Sequence, residues 1–291
     1  MTVLEAGAPI AVVAPCGIYD PQRFEAGLAL ARERGFDLRP LDGILRPWRY
    51  LAGDDAHRRA QLIEAMTSDA YAGVWIARGG YGLTRLIDDL PWNRFDARPV
   101  LGFSDVTALF AAMHRHRVGT AVHAPVVHSL PKTDPASLDA LFALLRGERP
   151  VLHGRFRGGG VATGPIVGGN LCLLAATCGT PDQLDATGCI LVLEEIGEPA
   201  YRVDRMLQQL HSAGVLAGVA GIVLGEFVSC RVPEGADYTL DDVLMEQVRK
   251  VGVPVLSDVP IGHGAANHAF VWGDHASFGP DGRLTMAAAR V

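Results

Sequence analysis

Short apolar runs alternate with helix-spaced apolar positions along the first 130 residues of the chain. Residues 10–14, 36–39, 74–77, 100–103 and 120–123 read as strands, and the segments between them carry the spacing of helices with one buried face. Short apolar strands separated by helices predict a parallel sheet covered on both faces. In such a sheet functional groups gather where strands end and helices begin. The rhythm breaks after residue 129 with Pro131-Lys132-Thr133-Asp134-Pro135, a helix over 136–145 and then Gly158-Gly159-Gly160. Beyond it, strands over 189–193, 219–224, 255–259 and 270–273 mix with helices over 170–178, 203–213 and 240–251. Two short strands, 276–278 and 284–288, close the chain around Pro280-Asp281-Gly282. The expected fold is α/β. Residues 1–130 form a parallel-sheet, flavodoxin-like domain, 131–163 a linker, and 164–291 a smaller mixed α/β domain.

Composition narrows the functional classes. The 291 residues are 49% hydrophobic and 20% charged, ordinary for a folded domain protein. The formal charge of −6 is spread through the chain without the basic stripe that nucleic acid requires, so nucleic acid is set aside as a partner. No apolar run reaches the roughly 18 residues of a membrane span. The five cysteines form no CxxC pair, and residues 1–15 lack the charged start of a secretory leader, which together predict a cytoplasmic protein with reduced thiols.

Four places join a strand end to a polar residue and glycine or proline. In Gly102-Phe103-Ser104-Asp105-Val106-Thr107 a strand turns directly into a helix whose apolar face is Val106, Leu109, Phe110 and Met113. A serine there stands beside unpaired N–H groups that can hold an oxyanion, or caps the helix by accepting one of them. Gly79-Gly80-Tyr81-Gly82 follows a strand and lets backbone approach a ligand, or simply makes a tight turn. It lacks the dinucleotide spacing. An apolar strand ends in Glu194-Glu195, of which one can enter a cleft and the other serve the next helix. His263 lies in Gly262-His263-Gly264 after another strand, and imidazole is the preferred base for a serine. His114 and His116 sit two apart on a helix, point different ways and suggest no metal site.

These segments, with Gly168-Gly169-Asn170-Leu171, Gly179-Thr180-Pro181 and Tyr201-Arg202-Val203-Asp204-Arg205, occur in the order found in LD-carboxypeptidases, which the chain resembles from about residue 10 to 273. That family of serine peptidases trims the terminal D-alanine from murein tetrapeptide in peptidoglycan recycling and includes the microcin C immunity proteins. The resemblance implies Ser104 as nucleophile, His263 as base and Glu194 as acid, with Glu195 in reserve. It implies an oxyanion hole from the N–H groups of Gly80 and Asp105, and an active site between the two domains. Tyr81, Asn170 and Arg202 are candidate substrate contacts, Arg202 being equally suited to pair with Asp204 or Glu198. The implied enzyme needs no metal or organic cofactor, acts on a small peptide and forms a homodimer. Departures are Cys16, where relatives often carry serine, and Ala124, where glycine commonly follows the histidine. Two other readings are an immunity-type amidase of peptidyl-nucleotide analogues and a non-catalytic small-ligand binding protein.

Overall fold

A computed structural model of the chain describes residues 3–289. The chain divides into two units, residues 1–148 with 268–270, and residues 149–267 with 271–291. Among the described residues no helix is long and apolar enough to cross a membrane.

The first unit carries β1 (Pro9–Val13), α1 (Pro21–Glu33), β2 (Asp37–Pro40), α2 (Asp55–Thr67), β3 (Gly73–Ile76), β4 (Pro99–Gly102), α3 (Val106–His116), β5 (Thr120–His123) and α4 (Pro135–Leu145). Its strands lie in the order β2-β1-β3-β4-β5, all parallel, with the short strand of residues 270–271 beyond β5. This is the flavodoxin-like order, and it places the reversal of strand order between β1 and β3. The strands are buried on both faces, as their unbroken apolar runs require. Asp20, Asp54 and Asp134 cap α1, α2 and α4 through their side chains. Each such cap contributes about 1 kcal/mol.

The second unit carries β6 (Leu152–His153), β7 (Arg155–Arg157), β8 (Ala162–Asn170), α5 (Leu171–Ala176), β9 (Ile190–Ile196), α6 (Ala200–Ser212), β10 (Gly221–Val228), α7 (Leu240–Arg249), β11 (Val255–Ser257), β13 (His275–Phe278) and β14 (Arg283–Ala287), while β12 (Phe270–Val271) is the strand that lies in the first sheet. Its eight-stranded sheet runs β6-β14-β13-β8-β9-β10-β11-β7. β8 to β11 are parallel, and antiparallel strands complete both edges. Residues 131–163, expected to be a connection, are therefore largely regular structure. Asp134 followed by Pro135 starts α4, whose Leu141, Phe142, Leu144 and Leu145 are buried, whereas β6, β7 and the start of β8 belong to the second sheet.

Two partly buried histidines make stability depend on pH. Burial pushes His128 down to about 4, aided by the positive charges of Arg23 and Arg78 and opposed by Asp20. Burial also lowers His268, against the pull of Asp134. Each takes up its proton more readily in the unfolded chain, so stability falls as pH drops from about 6.5 towards 4. Urea midpoints should decline through that window, and His128→Asn should flatten part of the decline. An unchanged slope in the variant would remove His128 from this account.

Candidate active site

β4 ends at Gly102 and α3 starts at Val106, leaving Phe103, Ser104 and Asp105 to turn the chain. Ser104 takes φ of +66°, a left-handed conformation that costs an L residue about 1–2 kcal/mol. A strained serine on a sharp strand-to-helix turn has the backbone geometry of a nucleophile elbow, which presents the hydroxyl clear of the backbone. Glycine at 79 makes room for it, since a Cβ there would stand 2.9 Å from Ser104 Cβ and 3.1 Å from its Oγ. The alternative role as a cap is already filled otherwise. Thr107 N–H donates to the main-chain carbonyl of Ser104 at 2.9 Å, and the start of α3 carries no side-chain cap.

The Gly79-Gly80-Tyr81-Gly82 turn is fastened to this elbow. Leu83 N–H donates to Oδ2 of Asp105 at 3.0 Å, and Gly17 N–H donates to the carbonyl of Gly79 at 3.1 Å. Asp105 is fully buried, and burial pushes its carboxyl up despite the Leu83 N–H. The buried Cys16 thiol beside it is pushed well up by burial and then by the Asp105 charge, which makes it an inert packing group. Tyr81 is exposed, with its ring centroid 5.9 Å from that of Tyr50.

In the second unit β9 carries both candidate acids, and strand alternation sends them to opposite faces. Glu194 is completely buried and its Oε2 lies 2.6 Å from His263 Nδ1. A carboxylate accepting from Nδ1–H leaves Nε2 as the nitrogen able to take a proton. The His263 loop is shaped for this contact. Gly262 has φ of +136°, and a Cβ there would meet Glu194 Oε2 at 3.0 Å. Asn267 Oδ1 accepts Gly262 N–H at 3.1 Å, and the carbonyl of Ile261 accepts Glu226 N–H at 2.8 Å.

Glu195 is occupied differently. It accepts the Asn170 amide at 3.1 Å and the N–H groups of Ile196 at 2.8 Å and Cys172 at 2.7 Å. Burial pushes its carboxyl up, and those three donors act against the shift. Asn170, expected among the substrate contacts, is buried and also caps α5 by accepting Leu173 N–H at 3.2 Å. Its side chain braces the fold in this structure. Arg202 lies exposed on α6, 3.3 Å from Glu198 Oε2 one turn earlier, whereas Asp204 accepts from the Gln247 amide. Of the expected residues the structure brings together Ser104 with the glycine turn and Asp105, and separately Glu194 with His263.

One residue escaped the sequence reading. Arg58 on α2 is fully buried and reaches the backbone of the glycine turn. Its only sequence signal is that it shares the buried face of α2 with Leu62, Ala65 and Met66.

Comparison with known proteins defines the class. The LD-carboxypeptidase N-terminal domain matches residues 10–124, and the LD-carboxypeptidase C-terminal domain matches residues 163–278. The chain belongs to the LD-carboxypeptidase family. It is similar to the murein tetrapeptide carboxypeptidase of Pseudomonas aeruginosa, with 36% identity over 286 residues covering 92% of each chain. The probable murein peptide carboxypeptidase of Bacillus subtilis is 30% identical over 302 residues, covering 99% of this chain and 94% of that one. Among solved structures, the muramoyltetrapeptide carboxypeptidase from Oxalobacter formigenes superposes with a TM-score of 0.87 at 26% identity, over 97% of this chain and 100% of that chain. The microcin C7 self-immunity protein MccF, solved with glutamyl sulfamoyl guanosine, shares the fold with a TM-score of 0.87 at 18% identity.

Proposed function

We propose that the protein is a serine-type L,D-carboxypeptidase that removes the C-terminal D-amino acid from murein-derived tetrapeptide. The observation that carries the serine mechanism is the strained Ser104 at the β4–α3 turn, with glycine at 79 against its hydroxyl. The Glu194–His263 pair supports it by supplying an oriented base. In this reading His263 Nε2 takes the Ser104 proton as Oγ attacks the carbonyl carbon before the terminal residue. The oxyanion is met by the N–H groups of Gly80 and Asp105. Collapse breaks the C–N bond, His263 returns the proton to the leaving amine, and water then releases the acyl group from Ser104 by the same steps. The family relatives named for murein peptides support that substrate class. The cytoplasmic location and the homodimer implied by the resemblance belong to the same proposal.

A substrate panel tests specificity. Tetrapeptide ending in D-alanine should be hydrolysed, the same peptide ending in L-alanine should be a poor substrate, and a glutamyl sulfamoyl nucleoside should persist. Cleavage of the nucleoside alone would select the immunity-type activity. Binding of peptide without cleavage would select a binding protein.

A further inference from the structure

Arg58 carries a permanent charge into the interior of the first unit, where an unpaired guanidinium would be strongly destabilising. Its Nε and Nη1 donors are spent on backbone. Nε donates to the carbonyl of Gly53 at 3.0 Å, and Nη1 donates to the carbonyls of Pro15 and, at 3.1 Å, Gly82. Nη2 pairs with Asp55 at 2.5 Å, and Asp55 also receives Arg85 through Nε at 3.0 Å. Pro15 lies in the loop after β1 and Gly82 closes the turn after β3, so one guanidinium ties the loops on both sides of the strand-order switch.

The Gly82–Leu83 peptide unit is held at both ends. Its carbonyl accepts from Arg58, and its N–H donates to Asp105, the residue after Ser104. A peptide plane gripped from both sides cannot rotate without breaking a buried hydrogen bond. We propose that Arg58 is a positioning residue for the oxyanion hole, setting the Gly79–Gly82 turn at a fixed distance from the Ser104 elbow. This rests on the serine mechanism proposed above and adds to it the group that keeps the Gly80 donor aimed. Its effect belongs to the transition state, because the donors must meet an oxygen that carries charge only as the bond breaks.

Arg58→Lys is the direct test, since a single ammonium cannot reach the three carbonyls that the planar fork spans. The expected result is a loss of about 100-fold in kcat, the scale of a displacement of about 1 Å. KM should stay within about threefold, because ground-state binding is untouched. The pH profile should match wild type, and affinity for a peptide boronate, whose tetrahedral adduct puts an oxygen at the donors, should fall in step with kcat. Asp55→Asn leaves Arg58 in place but loosens it, and should show the same pattern at about tenfold. That variant decides the matter if Arg58→Lys does not fold. Either folded variant turning over within about threefold of wild type, or losing kcat while keeping boronate affinity, would overturn the proposal. A wild type that hydrolyses no peptide would count against the serine-peptidase reading itself, and the variant-to-wild-type ratio keeps the two apart.

Discussion

Ser104→Ala should lower kcat by about 10,000-fold or more while the fold survives. In the proposed mechanism, removing the hydroxyl deletes the covalent route, and the remaining oxyanion donors and binding groups provide only residual catalysis. A capping serine would behave differently, losing about 1 kcal/mol of stability and keeping turnover. The backbone offers a second reading of the same site. At φ of +66° Ser104 holds strain that alanine keeps and glycine releases. Ser104→Gly should therefore be as inactive as the alanine variant yet more stable than it, by about 1 kcal/mol. Calorimetry on the two inactive proteins measures that difference directly. Full activity in a well-folded alanine variant would eliminate the elbow.

Glu194→Gln should cost about 1,000- to 10,000-fold in kcat. In the proposed mechanism the carboxylate 2.6 Å from His263 Nδ1 accepts a hydrogen bond from Nδ1–H and steadies the imidazolium that forms during attack. An amide of the same shape can turn its NH2 towards Nδ1, which moves the ring proton to Nε2 and removes the base. Glu195→Gln should change kcat little and lower stability instead, by about 1–3 kcal/mol, because that carboxylate accepts the Asn170 amide and the Cys172 and Ile196 N–H groups. The contrast separates the two neighbours without relying on any relative. If Glu195→Gln were the crippled variant, the acid would have to be reassigned.

The parallel strands of the first unit were legible because a strand buried on both faces is written as an uninterrupted apolar run, as in Gly73–Ile76 and Pro99–Gly102. Caps such as Asp20 before Pro21 mark helix starts equally plainly. Residues 83–90 carry helical spacing but fold into two single 3-10 turns, Leu83–Arg85 and Ile87–Asp89. Pro91 pushes Leu90 into an extended conformation, and Asp105 takes the Leu83 N–H. β9 runs through both glutamates to Ile196, two residues beyond the first carboxylate, because Glu195 pairs in register with Phe227. Which glutamate meets His263 depends on the face that β9 turns towards the loop after β11, and a pair of identical neighbours carries no such mark. Arg58 was illegible for a related reason. A charged residue on an amphipathic helix ordinarily faces water, and the carbonyls that turn this one inward include those of Pro15 and Gly82, distant in sequence.

The most direct measurement of the central claim is release of free D-alanine from murein tetrapeptide, followed for wild type and Ser104→Ala in excess chelator. The serine mechanism predicts undiminished release by wild type, because its base is His263 oriented by Glu194, and no release above background by the variant. Release that stops with chelator and returns with added divalent ion, or that continues in Ser104→Ala, would contradict it.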